Sequence, residues 1–261
     1  MSWPFDTSEP FITAEHAAEL QRRRRGVAPE AWALPPTLVA TFQGAAYERM
    51  LERAGAGPEG REGDGSPWVG QAVGAVDGVP VLLARIGVGA PAAAIVLELA
   101  IARGVRTILV AGDAGSLQPG LPIGSTVIVE GAEREDGTSH HYLPAGEVVA
   151  ADPEIAALLE RCAVARGAAP VRGRAWTIDA PYRETVGAIG RHRAAGVAVV
   201  EMEAAAIFAV AKVRGARAGL LVAVSDELYG ERWQLGLEQD AYQTALARAA
   251  DAALDAAARL G

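Results

Sequence analysis

The chain has 261 residues and a formal net charge of −8, with 51% apolar and 21% charged residues. This is enough chain for one sizeable core; the composition excludes a disordered polymer, and the acidic surplus argues against a phosphate-backbone binder. A single cysteine, Cys162, excludes an internal disulfide and a four-cysteine zinc site, and no segment reads as a targeting signal or a bilayer span, so the expected compartment is cytoplasmic.

Residues 1–33 hold several prolines without an alternating apolar pattern and are set apart as an N-terminal arm; residues 34–261 are expected to form a single α/β domain. In the arm, residues 14–24 predict a short helix ending in the run Arg22 to Arg25. Cations suit a helix C-terminus; the alternative is an anion-binding arm that reaches a neighbouring subunit. Residues 37–42 read as a buried strand, 45–53 as a helix and 59–66 as a polar, glycine-rich loop. Strands at 71–76 and 79–86 flank Asp77-Gly78, a hairpin signal. A helix opens at Pro91 and runs to Ala102, with Gly104 as its cap.

Residues 107–111 are apolar throughout apart from Thr107, as in a strand covered on both faces. A glycine-rich turn from Gly112 to Gly124 follows, then a strand at 126–130 and a helix at 153–166. A short strand at 198–200 leads into a helix at 201–213, and a covered strand at 218–224 precedes a final helix at 240–260. Strands alternating with helices predict a three-layer α/β/α domain around a central mixed, mostly parallel sheet.

Three constellations carry chemistry. Gly87 to Ala92 fits G-x-G-x-x-A after a strand, with Asp113 24 positions beyond Gly89. That spacing permits a nicotinamide- or flavin-binding reading. A second glycine, Gly115, stands where a crossover helix should follow, which weakens it. In the second, a strand ends at Glu201-Met202-Glu203 before a nearly all-apolar helix. Carboxylates there cap the helix dipole, and a carboxylate at a strand's C-terminal edge also suits the vicinal hydroxyls of a sugar. In the third, Ser225-Asp226 emerges from a buried strand, either capping the next turn or supplying a general acid.

In this order and spacing the segments resemble the nucleoside phosphorylase superfamily, which includes uridine phosphorylases, purine nucleoside phosphorylases and methylthioadenosine nucleosidases. The resemblance runs from about Val79 to Asp226, and VVEMEAAAIFAVA is its most specific part. It implies that Glu203 holds the ribose 2′- and 3′-hydroxyls, that Met202 packs on the sugar, and that Glu201 lines the same site. Asp226 would donate a proton to a purine leaving group, oriented by Ser225. Gly112 and Ala114 fall in the family's glycine turn, which borders the substrate. At the base, Asp179-Ala180-Pro181-Tyr182 stands where relatives carry Asp-x-Phe-Tyr. Pro181 replaces a stacking phenylalanine, leaving Trp176 or Tyr182 either as the aromatic face or as core packing, and Arg183 as a weak base-reading group.

The departures concern phosphate. Val110 stands at the position of the family's phosphate arginine and Ala114 at that of its hydroxyl, while Asp113 adds a negative charge between them. The resemblance therefore leaves three readings. Phosphate binds through other arginines, with Arg49, Arg85 and Arg25 as candidates; or the chain is a nucleosidase in which Asp113 or Glu48 activates water; or it binds nucleosides without turnover. Phosphorolysis of a purine-type nucleoside is the favoured expectation, and hydrolysis is its alternative. No organic or metal cofactor is expected, with phosphate as a possible co-substrate. The adjacent pair His140 and His141 do not share a face for metal ligation and are assigned to the pocket rim or to an exposed loop. Family members are homo-oligomers (dimers, trimers or hexamers), and His16 is a candidate for a neighbour's sugar site. The expected partner is a small-molecule nucleoside, with neither nucleic acid nor membrane involved.

Overall fold

A computed structural model describes residues 5–57 and 68–261; the loop expected at 59–66 lies outside them. The elements in chain order are α1 (Ala14–Arg24), α2 (Pro29–Trp32), β1 (Thr37–Thr41), α3 (Gly44–Arg53), β2 (Trp68–Val76), β3 (Val79–Ile86), α4 (Ala90–Ala102), β4 (Thr107–Ser116) and β5 (Thr126–Glu135). They continue with α5 (Ser139–Tyr142), β6 (Val149–Ala150), α6 (Pro153–Ala165), β7 (Val171–Ile178), α7 (Val186–Ala194), β8 (Val199–Glu201), α8 (Ala204–Arg214), β9 (Arg217–Glu227), β10 (Gln234–Leu235) and α9 (Asp240–Ala258). The β2–β3 turn has positive φ at both central residues, 51° at Asp77 and 82° at Gly78, the geometry that matches the twist of a tight hairpin.

The sheet is mixed. Parallel ladders join β1 to β3 and β4, β4 to β9, and β7 to β5 and β8. Antiparallel ladders join β2 to β3, β8 to β4, β9 to β5 and β10, and β6 to β5. The pairings close on themselves through β4, β9, β5, β7 and β8. Part of the central sheet is thus a ring, because β8 pairs with β7 on one side and with the end of β4 on the other. One apolar cluster lies between the strands and α4 and α8, and a second is built with α3, α6 and α9. Helix α8 is buried from Ala204 to Ala211, as its unbroken apolar sequence requires.

Gly112 to Ser116, expected as a turn, instead continue β4, with an irregularity in the pairing between Ala114 and Gly115. Gly115 is there for close approach. A Cβ at Gly115 would clash with Leu228 Cδ1 and meet Asp226 Oδ2 at 3.0 Å. In the arm, α1 packs on α4 of the same chain, and Arg22 and Arg23 pair with Glu19. Of the arginine run, Arg22 to Arg24 form the last turn of α1 and Arg25 is its C-cap. Among the described residues no helix is long and apolar enough to cross a membrane.

Candidate active site

A cavity of about 520 Å³ opens where β4, β8 and β9 end, lined among others by Asp113, Ala114, Glu201, Met202, Glu203, Ser225 and Asp226. That volume suits a ligand of nucleoside size. Strand C-terminal edges are where α/β sheets place their ligands; here residues separated by more than a hundred positions meet in one hollow.

The two glutamates have different tasks. Glu201 ends β8 and accepts from the Thr177 hydroxyl and from the backbone N–H groups of Glu203 and Ala204, at 2.7 and 2.6 Å. Thr177 in turn accepts from Ala205 N–H at 3.0 Å. Glu201 therefore caps α8. Burial pushes its carboxyl up, but three donors aimed at it favour the ionised form. Glu203 accepts from the N–H of Gly89 at 2.5 Å. Burial and the neighbouring charge of Glu201 push its carboxyl well above the ordinary range. Gly89 has φ 106° and precedes α4, a conformation that favours glycine. The G-x-G-x-x-A segment thus supplies, through Gly89, a backbone donor to Glu203.

Asp226 accepts on both oxygens, from the Ser225 hydroxyl at 2.7 Å and from the Trp233 indole N–H at 2.7 Å. Asp113 is likewise held on both sides, by Gln43 Nε2 at 2.7 Å and by Tyr242 Oη at 2.8 Å. Burial pushes the Asp113 carboxyl up despite these donors and, together with Asp113, raises the Tyr242 phenol. Glu184, half-buried on the same wall, is pushed up to about 7 by burial and by the charge of Asp226. Sequence reasoning missed Glu184, Gln43, Tyr242 and Trp233. Gln43 carries a usable signal, since it immediately follows a covered strand.

Several expected residues lie elsewhere. Trp176 is fully buried and stacks on His192, with ring centroids 4.1 Å apart; it packs the core and does not face the base. Gly112 is absent from the lining, because its bare Cα faces Phe42 and Val222. Arg183 belongs to the exposed turn Pro181–Arg183, of which Pro181 and the fully exposed Tyr182 border the cavity. Arg49 is engaged by Asp251 through two hydrogen bonds at 2.8 and 2.7 Å, on the α3–α9 side. Arg85 lies against Gly44 and donates to the Phe42 carbonyl at 3.5 Å. Arg25 is over the Trp32 ring, and Glu48 is exposed on α3. His16 and His141 are not in the lining either, and His140 contacts Arg134 at 3.3 Å. Among the described residues lining the cavity, Arg232 is the one guanidinium, facing six carboxyl groups.

Residues 38–258 match the family model described as "Phosphorylase superfamily". The chain is 30% identical over 171 residues to the uridine phosphorylase of Haemophilus influenzae, covering 60% of this chain and 66% of that protein. It is 32% identical over 164 residues to the guanosine phosphorylase of Halorubrum lacusprofundi, covering 63% and 68%. The matched stretch thus spans about two thirds of these relatives' lengths. In fold it is similar to a purine nucleoside phosphorylase of Toxoplasma gondii solved with immucillin-H, with a TM-score of 0.76 and 22% identity over 90% of this chain and 94% of that one. A uridine phosphorylase of Vibrio fischeri gives a TM-score of 0.76 and 20% identity over 87% and 93%.

Proposed function

The chain belongs to the phosphorylase superfamily, and we propose that it cleaves the N-glycosidic bond of a nucleoside, with a purine-type base favoured. One observation carries this: Glu203 and Asp226 line a single nucleoside-sized cavity, so one ligand can touch both. As the bond breaks, its electron pair leaves with the base and positive charge grows on the sugar. In its ionised form Glu203 accepts the sugar hydroxyls and offsets that charge, while Asp226 delivers a proton to the base nitrogen. Glu184, which exchanges its proton near neutrality, replenishes Asp226. The acceptor then bonds to the anomeric carbon.

Phosphate as the acceptor is supported by the names of the relatives, which are phosphorylases. Hydrolysis is favoured by a specific observation: Asp113, at the position where phosphate is expected, is held by two neutral donors, Gln43 and Tyr242, and pairs with no arginine among the described residues. Two like charges about 4 Å apart repel by roughly 4 kcal/mol at an effective dielectric near 20, so an anion beside Asp113 needs a compensating cation. The test is a panel of purine and pyrimidine nucleosides assayed with and without phosphate, reading free base and sugar product. Sugar phosphate formed only with phosphate supports phosphorolysis; free ribose at a phosphate-independent rate supports hydrolysis. Absence of base release from every nucleoside would overturn the proposal. We further assign the enzyme to the cytoplasm as a homo-oligomer, the habit implied by its family.

A further inference from the structure

Trp233 lines the cavity, is 63% exposed, and donates its indole N–H to Asp226 Oδ2 at 2.7 Å. A flat bicyclic ring presenting a ring N–H to this carboxylate is what a protonated purine would present on leaving. We propose that Trp233 is a specificity-determining residue that occupies the base end of the site as a surrogate for the nucleobase and is displaced by it. This rests on the reading of Asp226 as the base-side carboxyl.

The local structure dictates how displacement occurs. The segment after β9 is tied down on both sides of the indole. Arg193 Nη1 donates to the Tyr229 carbonyl at 2.9 Å, and Gly236 N–H donates to the Ser225 carbonyl at 2.8 Å. Between them, Gln234 and Leu235 pair with Glu227 and Asp226. A Cβ at Gly236 would come within 2.6 Å of Ile123, so this end is also packed. Exchange is therefore a rotation of an exposed side chain on a fixed hairpin, which needs no opening of the sheet. Only a ligand that offers Asp226 a comparable ring nitrogen replaces the bond the indole gives up. Discrimination follows, because a group left unpaired in the cavity is penalised.

Tryptophan emission and base binding test this together. Hypoxanthine and guanine are titrated into wild type and Trp233→Phe, with ribose as a second ligand and binding read independently by equilibrium dialysis. Base is expected to change wild-type emission and ribose to leave it unaltered. The change should vanish in Trp233→Phe, which distinguishes this indole from buried Trp176. Trp233→Phe should bind base about threefold to tenfold more tightly, since an N–H bond to a carboxylate, weakened here by the exposure of the indole to water, no longer has to be exchanged. Base binding with unaltered emission, an emission change with ribose alone, or equal or weaker base affinity in Trp233→Phe would each overturn the surrogate role. The first of these leaves the proposed nucleoside cleavage standing; wild type that binds no base and cleaves no nucleoside removes both.

Discussion

Replacing Glu203 by glutamine should weaken catalysis and strengthen the fold at the same time. In the sugar site the carboxylate can accept two hydroxyl donors; a carboxamide keeps one acceptor oxygen and turns the other position into a donor. Hydrogen bonds to a charged group contribute about 1.5–3 kcal/mol each, so losing one costs about 10- to 150-fold in kcat/KM, chiefly through KM. Stability moves the other way. Glu203 is 6% exposed, next to Glu201, with its carboxyl raised above the ordinary value of 4.5. A raised acid binds its proton more tightly in the native state than in the unfolded one. Its favourable contribution is fully present below pH 4.5 and is lost as pH climbs through the raised native value. Glutamine removes that penalty while still able to accept from Gly89. Thermal melts should show little difference between the two proteins near pH 4.5 and a more stable variant at alkaline pH. The gain would be about 2–4 °C for each kcal/mol recovered. Unaltered nucleoside kinetics, or a variant less stable at alkaline pH, would refute the argument.

Two further substitutions test the base side. Asp226→Asn should slow release of a purine at least about tenfold, the low end for a general acid, and an unchanged single-turnover rate would retire that role. Glu184, pushed up to about 7, should give the rate a limb that falls as pH rises through that value, because only the protonated group can resupply Asp226. Glu184→Gln should abolish that limb in kcat while sparing KM for the sugar; a profile identical to wild type would show that Glu184 takes no part in the transfer.

The covered strands β1 and β4 are legible in sequence because TLVA and TILVA are apolar on both faces, and VVEMEAAAIFAVA is legible because few other local structures place two carboxylates before a buried helix. Strand β7 is harder to read. Its Arg172 and Arg174 look like loop residues until they are seen to pair with Glu160, Glu130 and Glu133. The glycines at 112 and 115 are ambiguous in the same way, since the residue that allows a turn also allows close packing. In the site, Glu203, Met202, Ser225 and Asp226 could be named because each belongs to a short local pattern. Gln43 and Tyr242 could not, because they reach Asp113 across 70 and 129 positions of chain, and no local signal encodes that meeting. Trp176 is ambiguous for a related reason: an aromatic beside a functional segment reads alike whether it faces a ligand or fills the interior, and here it fills the interior.

The closed circuit of β4, β9, β5, β7 and β8 constrains how this architecture can be retuned. Strands that bond to neighbours on both sides cannot splay, so the spacing between Glu203, just past β8, and Asp226, in β9, is held by the framework. Adaptation to a larger or differently substituted heterocycle must therefore come from what overhangs the mouth, the Pro181–Arg183 turn and the hairpin bearing Trp233, while the frame beneath stays as it is.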